Sequence, residues 1–299
     1  MHRFVLHNDD VHDAQVKDTS PGQTGLMNGW GVFSTMRVAD GVLFAFERHW
    51  ARMRRDAERM RVPFPSDPDY LESRLLRLVE ANDARNATLR VVVVRNKGGP
   101  YEGPDIGRDF DVIAFTTGLN DWGENVRLAV KPHARHAQNE FAGAKIMSWA
   151  CNLAWYEEAR SRGFDEVVLL NERGEVCECT SANIFAAQDG RVLTPPLNSG
   201  CLPGVTRELL LEEVRLGGIS VHEQTLLPQD LEQADGIFIT SSTRDLLPVR
   251  QVEGLRIKQD TRAMALLRDA LVHYREEYIR NKPDSVLKQD LSPAGAGVQ

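Results

Sequence analysis

Residues 178–207, ECTSANIFAAQDGRVLTPPLNSGCLPGVTR, decide how this chain is read. The run opens on an acid, Glu178, set between Cys177 and Cys179 in a strand-like apolar stretch. A carboxylate in such a strand needs a partner, because burial removes its water. Two further apolar runs follow, NIFAA and RVLTP, separated by the Asp189-Gly190 turn signal. The run closes on Leu202-Pro203-Gly204-Val205-Thr206-Arg207, a turn that opens a helix. Helix starts present unpaired N–H groups and the positive end of the helix dipole, a combination suited to phosphate. Upstream, Lys145 follows Ala142-Gly143-Ala144 and precedes a stretch expected to be helical over 147–162, which places the lysine at a helix start.

Taken singly, these features are ordinary. A lone lysine is more often a solvated surface residue, Glu178 could be an edge-strand acid facing water, and many helices begin with Pro-Gly-x-Thr. A second polar turn, Thr240-Ser241-Ser242-Thr243, reads equally as a Ser/Thr turn or as a source of further donors. Arg52, one turn past Arg48 and His49, would by default be solvated.

Composition bounds the rest. The chain has 299 residues, 42% of them hydrophobic, enough for one large domain or two. A net charge of −7 argues against a nucleic-acid partner but leaves small anions possible. The four cysteines, Cys151, Cys177, Cys179 and Cys201, have no zinc spacing and read as buried free thiols, with no metal expected. The N-terminus lacks an apolar signal core, and no run has the length of a membrane span. A cytoplasmic protein with no membrane partner is expected.

The pattern of elements is mixed. Residues 31–46 read as a hairpin about Ala39-Asp40-Gly41. Helices follow over about 47–61 and 68–82, then strands over 89–96 and 111–117. GLNDWGEN, 118–125, reads as a linker. A strand at 126–132 and a long loop lead to Lys145. Residues 166–195 read as an antiparallel meander, followed by a helix from Thr206 to about Leu216. A strand, a turn and a second strand occupy 236–249, and a last helix about 261–280. This gives a small α/β domain at 1–117, a linker at 118–125, a larger domain at 126–281 and a disordered tail at 282–299.

The ordered set of motifs resembles the class IV aminotransferases, the fold-type IV pyridoxal-phosphate enzymes. The resemblance runs over about residues 25–250. It rests on Gly31 to Arg37, His49-x-x-Arg52, Lys145 with Gly163-Phe164-Asp165-Glu166, Glu178 with Asn183-Ile184-Phe185, Leu193 to Pro196, Leu202 to Arg207, and Thr240 to Val249. It implies an α/β (α+β) fold of two domains, the larger with a barrel-like sheet and the cofactor, and a homodimer. It implies pyridoxal 5′-phosphate as cofactor, bound as a Schiff base to Lys145, which also shuttles the proton. Glu178 would pair with the pyridine nitrogen. Arg52, Val205, Thr206, Ser242 and Thr243 would hold the phosphate, and Asn183 would support the ring. Phe33, Arg90 and Arg95 are the candidate substrate contacts, with Tyr101 and Asp105 on the 97–108 loop also within possible reach.

Three reactions share this machinery: branched-chain and D-amino-acid transamination, and 4-amino-4-deoxychorismate cleavage to pyruvate and 4-aminobenzoate. Asn28 and Ser34 stand where branched-chain enzymes usually carry a tyrosine and an acid. Phe33-Ser34-Thr35 and Arg90 to Gly99 are closer to the lyase pattern, although Asn96 replaces its usual glycine. Trp30 fits no subgroup well. The expectation is an aminotransferase acting between an amino acid and a 2-oxo acid. The lyase is the alternative, and a non-catalytic pyridoxal-phosphate-binding protein is the alternative of another class.

Overall fold

The computed structural model of the chain describes residues 1–17, 19–20, 22–99, 106–214 and 217–282. The first half comprises β1 (Phe4–His7), β2 (Asp10–Asp13), α1 (Thr24–Asn28), β3 (Gly31–Ala39), β4 (Val42–Leu43), α2 (Phe46–Arg59), α3 (Pro68–Ala81), β5 (Ala87–Arg95) and β6 (Phe110–Thr117). Its strands form one antiparallel sheet in the order β2-β1-β6-β5-β3-β4. The β3–β4 turn places both Asp40 and Gly41 at positive φ, 50° and 83°, as a twisted two-residue hairpin requires. Asp67 caps α3 by accepting the Asp69 and Tyr70 N–H groups, with Pro68 at the first helical position.

Alternation along β5 gives the sheet two different faces. Ala87, Leu89, Val91 and Val93 point to the core, where they meet Trp50 and Met53 of α2 and Leu71, Leu75 and Val79 of α3. Thr88 and Arg90 point the other way, beside Phe33 and Thr35 of β3, toward the second half of the molecule.

That half comprises β7 (Val126–Arg135), α4 (Ala150–Ser161), β8 (Glu166–Asn171), β9 (Val176–Cys179), β10 (Asn183–Gln188), β11 (Arg191–Thr194), α5 (Val205–Glu212), β12 (Ser220–Glu223), α6 (Pro228–Gln233), β13 (Gly236–Ser241), β14 (Asp245–Val252) and α7 (Arg262–Asn281). Its sheet has eight strands in the order β12-β11-β10-β13-β14-β7-β8-β9. The strand β9 ends this order and β10 lies third, yet only residues 180–182 separate them along the chain. So short a connection forces the sheet to curl into a half-barrel, and Cys179 N–H reaches Ala182 O at 2.7 Å. Leu128, Val168, Ile184 and Ile239 fill one face. On the other, Phe185 and Phe238 stack at 5.0 Å beneath Leu209 of α5 and Leu267 of α7.

Several expectations change. The expected meander is two hairpins, β8–β9 and β10–β11, with β13 paired to β10. Local turn signals fix hairpins but cannot announce a partner fifty residues away. The loop after 132 is in part strand, because β7 runs on to Arg135. The strands β1, β2 and β12 and the helices α1 and α6 are additional. Helix α5 stops at Glu212, and Leu216 lies outside the described residues. Cys177, Cys179 and Cys201 are buried free thiols, but Cys151 is exposed on α4. The expected disorder of the tail falls on residues outside those described, except Lys282. No helix among the described residues is long and apolar enough to cross a membrane.

Candidate active site

A cavity of about 690 Å³ opens between the two sheets. Lys145 lines it, but not from a helix start as expected. Residues 145–147 run extended along the edge of β3. Phe33 N–H donates to Lys145 O at 3.1 Å, Met147 N–H donates to Gly31 O at 2.9 Å, and Ile146 bridges Val32. Helix α4 begins only at Ala150. The physical reason is the unpaired edge of β3 beyond β4, whose N–H and C=O groups capture this segment. On its other side, Asp56 of α2 accepts the Lys145 N–H at 3.0 Å. The backbone of the lysine is therefore fixed from two elements, and its Nζ sits 4.5 Å from the Phe33 ring centre. Burial, and then the Arg52 charge, pull its pKa from 10.5 down to about 7, with Glu178 pulling the other way.

Glu178 is buried on β9 and its two oxygens are separately engaged. Arg135 Nε donates to one at 3.0 Å, and Leu202 N–H donates to the other at 3.0 Å. Arg135 is itself steered by Asn152, at 3.2 Å. Neither partner was legible beforehand, since Arg135 fell in the expected loop. Asn183 donates to Leu202 O at 2.9 Å and so holds the 202–204 turn. A Cβ at Gly204 would overlap the Asn183 side-chain oxygen, so that side chain would have to give up its place against the turn.

Arg52 is buried, with its pKa lowered to about 10 by desolvation. Its Nη2 donates to Ser34 Oγ at 2.7 Å and its Nη1 to Pro203 O at 3.4 Å, while Nε has no partner among the described residues. Ser34 Oγ lies 2.7 Å from His49 Nδ1, and His49 Nε2 lies 3.5 Å from Ser242 Oγ. Burial, then Arg52 and Lys145, keep His49 neutral. Ser34, already accepting from Arg52, donates to Nδ1, which leaves the Nε2 proton for Ser242. The Ser34–His49 relay was missed, although His49 and Ser34 both stood within the quoted motifs.

Val205 and Thr206 begin α5, and the first N–H to bond back is that of Glu208, to Gly204 O. Those before it have no intrahelical acceptor. Ser242 and Thr243 line the same cavity, and the buried Thr240 hydroxyl has no partner among the described residues. Arg52 Nε, Thr240 Oγ1 and the free N–H groups of α5 therefore make a surplus of donors without acceptors. A phosphate satisfies such a set, and the carboxylate of Glu178 in the same cavity fits a protonated pyridine nitrogen.

On the other wall, Arg90 lies 3.9 Å above the Phe33 ring with no hydrogen-bond or ion-pair partner among the described residues. Thr35 and Thr88 flank it; Thr35 stood in the quoted Phe33-Ser34-Thr35 run, whereas Thr88 had not been singled out. Arg95 does not join them. Five residues from Arg90 on one strand, it points to the opposite face, where it stacks on Trp30 at 4.4 Å and donates to Lys97 O and Arg61 O. Trp30 is likewise off the cavity, donating to Met60 O. Tyr101 and Asp105 lie outside the described residues. No group of side chains suited to a metal ion occurs among the described residues.

A curled mixed sheet facing a small antiparallel one, with a low-pKa lysine between them, defines a fold-type IV enzyme. The chain belongs to the class IV amino-transferase family, whose profile matches residues 31–252. A branched-chain-amino-acid aminotransferase of Salmonella typhimurium is 30% identical over 77% of this chain and 78% of its own length. A putative branched-chain-amino-acid aminotransferase of Methanocaldococcus jannaschii is 29% identical over 82% of this chain and 85% of its own length. The crystal structure of an Escherichia coli branched-chain amino acid aminotransferase superposes with a TM-score of 0.84 at 24% identity, covering 95% of this chain and 97% of that one.

Proposed function

We propose that this enzyme uses pyridoxal 5′-phosphate to move an amino group between an amino acid and a 2-oxo acid. The carrying observation is Lys145, held from both sides and with a pKa near 7, in one cavity with Glu178 and the acceptor-less donors around Arg52. Bound there, the cofactor supplies an electron sink that acidifies the Cα–H of the substrate.

The residues divide the work. Arg52, the Val205 and Thr206 N–H groups and the Ser242–Thr243 turn hold the phosphate. Glu178, oriented by Arg135 and the Leu202 N–H, pairs with the pyridine nitrogen. Asn183 keeps the 202–204 turn in place. Lys145, basic enough to accept a proton yet often uncharged at neutral pH, takes the proton from Cα and returns it. Arg90, lacking an ion-pair partner among the described residues, takes a substrate carboxylate, with Phe33 as the apolar floor beneath.

The names of the relatives put branched-chain amino acids first as donors; turnover of an L-amino acid with 2-oxoglutarate as acceptor is the expected reaction. Exposed Leu153 and Phe141 at the rim of the cavity support a homodimer, which sedimentation would measure.

The test is a visible spectrum of the cofactor-loaded protein and a substrate panel on one preparation. Lys145→Ala should abolish the visible band and all turnover. Arg90→Met should raise the KM for the 2-oxo acid about 10–100-fold, the worth of a charged hydrogen bond of ~1.5–3 kcal/mol. Pyruvate and 4-aminobenzoate from aminodeoxychorismate, with no transamination of any amino acid, would overturn the transaminase reading.

A further inference from the structure

Arg37 belongs to the small sheet, on β3, yet its side chain crosses to the half-barrel. Its Nη2 donates to Thr243 O at 3.1 Å and to Asp245 Oδ2 at 3.2 Å, and its Nε donates to Ser242 O at 3.5 Å. It does not line the cavity. What it grips is the back of the turn whose front does.

Peptide planarity makes that grip consequential. A carbonyl and the N–H that follows it point in opposite directions across one rigid plane. With Ser242 O drawn toward Arg37, the Thr243 N–H is turned the other way. That N–H has no acceptor among the described residues, whereas the Arg244 N–H is taken by Ser241 O at 3.2 Å. The turn ends on Asp245 at φ 54°, a left-handed conformation that an L-residue adopts at a cost. Its carboxylate is held by Arg37 and, at 2.7 Å, by Arg275 Nη1 of α7. The strained end of the turn is thus pinned by arginines from the small sheet and from the C-terminal helix.

We propose that Arg37 is a positioning residue for the phosphate: by holding the Ser242 and Thr243 carbonyls and the Asp245 carboxylate, it aims the Thr243 N–H into the cavity. It couples the docking of the two halves to anion binding without touching the anion. This rests on the reading of the cavity as a pyridoxal-phosphate site.

The experiment compares the affinities of pyridoxal phosphate and of pyridoxal, which lacks the phosphate, for the wild type, Arg37→Gln and Arg37→Lys. Binding is read by visible absorbance and independently by thermal shift. Arg37→Gln should lose about tenfold in affinity for pyridoxal phosphate, as expected for a weakened charge-assisted contact, and keep its affinity for pyridoxal within about twofold. Arg37→Lys keeps the charge but not the fork of donors, so it should fall between. Should Arg37→Gln fail to fold, the same ratio measured on Arg37→Lys decides. Equal losses for both ligands would show a merely structural role and overturn the proposal, as would unchanged pyridoxal-phosphate affinity. A wild type that binds neither compound overturns the cofactor reading itself, a different result from a folded variant whose ligand ratio is unaltered.

Discussion

Replacing Lys145 by methionine should make the cofactor-free protein more stable at neutral pH. The amine of this lysine has a pKa near 7 in the fold and 10.5 as its ordinary value. Between those two values the unfolded chain carries a proton that the folded chain has released. Unfolding there takes up a proton, so stability rises with pH across that window. Below about pH 7 both states are charged, and the fold bears the whole cost of the unwelcome ammonium. At ~1.4 kcal/mol per pH unit, the difference sets a ceiling of about 5 kcal/mol. The open cavity shields part of the charge with water, so a gain of about 2–4 kcal/mol is expected near pH 6. Methionine keeps the unbranched stem and removes the charge. Urea denaturation of both proteins, freed of any bound cofactor, measures the difference, which should shrink toward zero near pH 10. Equal stabilities near pH 6, or a difference that persists unchanged at high pH, would refute the claim that the fold pulls the pKa of this lysine down. The same stress serves chemistry: near pH 7 about half the amines are free bases, against about one in three thousand for an ordinary lysine.

Glu178→Gln should leave the fold in place but turn an amide donor toward either Arg135 or the Leu202 N–H. A loss of about 1–3 kcal/mol in stability and of about 100-fold or more in turnover is expected; near-normal turnover would remove Glu178 from the cofactor. Gly204→Ala should cost about 1–3 kcal/mol by steric conflict with Asn183 and weaken cofactor binding. Adding Asn183→Ala should return part of that stability, and a double variant as unstable as the sum of the two singles would contradict the conflict.

From β3 to β6 the secondary elements of the first half were legible because each announces itself locally, whereas β1, β2 and α1 were not. The Asp40-Gly41 turn, the Pro68 helix start and the apolar run of β5 need no distant partner to be recognised. The barrel was not legible in the same way. That β13 inserts beside β10, and that β9 must curl back toward it, depends on pairings between residues far apart in the chain. The motif residues around the cavity could be read from their resemblance to a family, but their supports could not. Arg135 reaches Glu178 only because β7 continues past a proline, and Asp56 meets Lys145 across 89 positions of sequence. Arg95 shows the complementary limit. Its residue type suited a carboxylate, but strand parity sent it to the wrong face.

Lys145 belongs to the second half of the chain by sequence and to the first half by hydrogen bonding. Its carbonyl, the Ile146 bridge and the Met147 N–H are all tied to β3, whereas Glu178 and the α5 start are built into the half-barrel. Any rocking of one half against the other would therefore carry the reactive amine together with Phe33, Arg90 and Arg52 as a single body past Glu178 and the α5 start. The separation between Lys145 and Glu178 becomes an internal caliper for the opening of the molecule, readable by a pair of labels placed on β3 and β9.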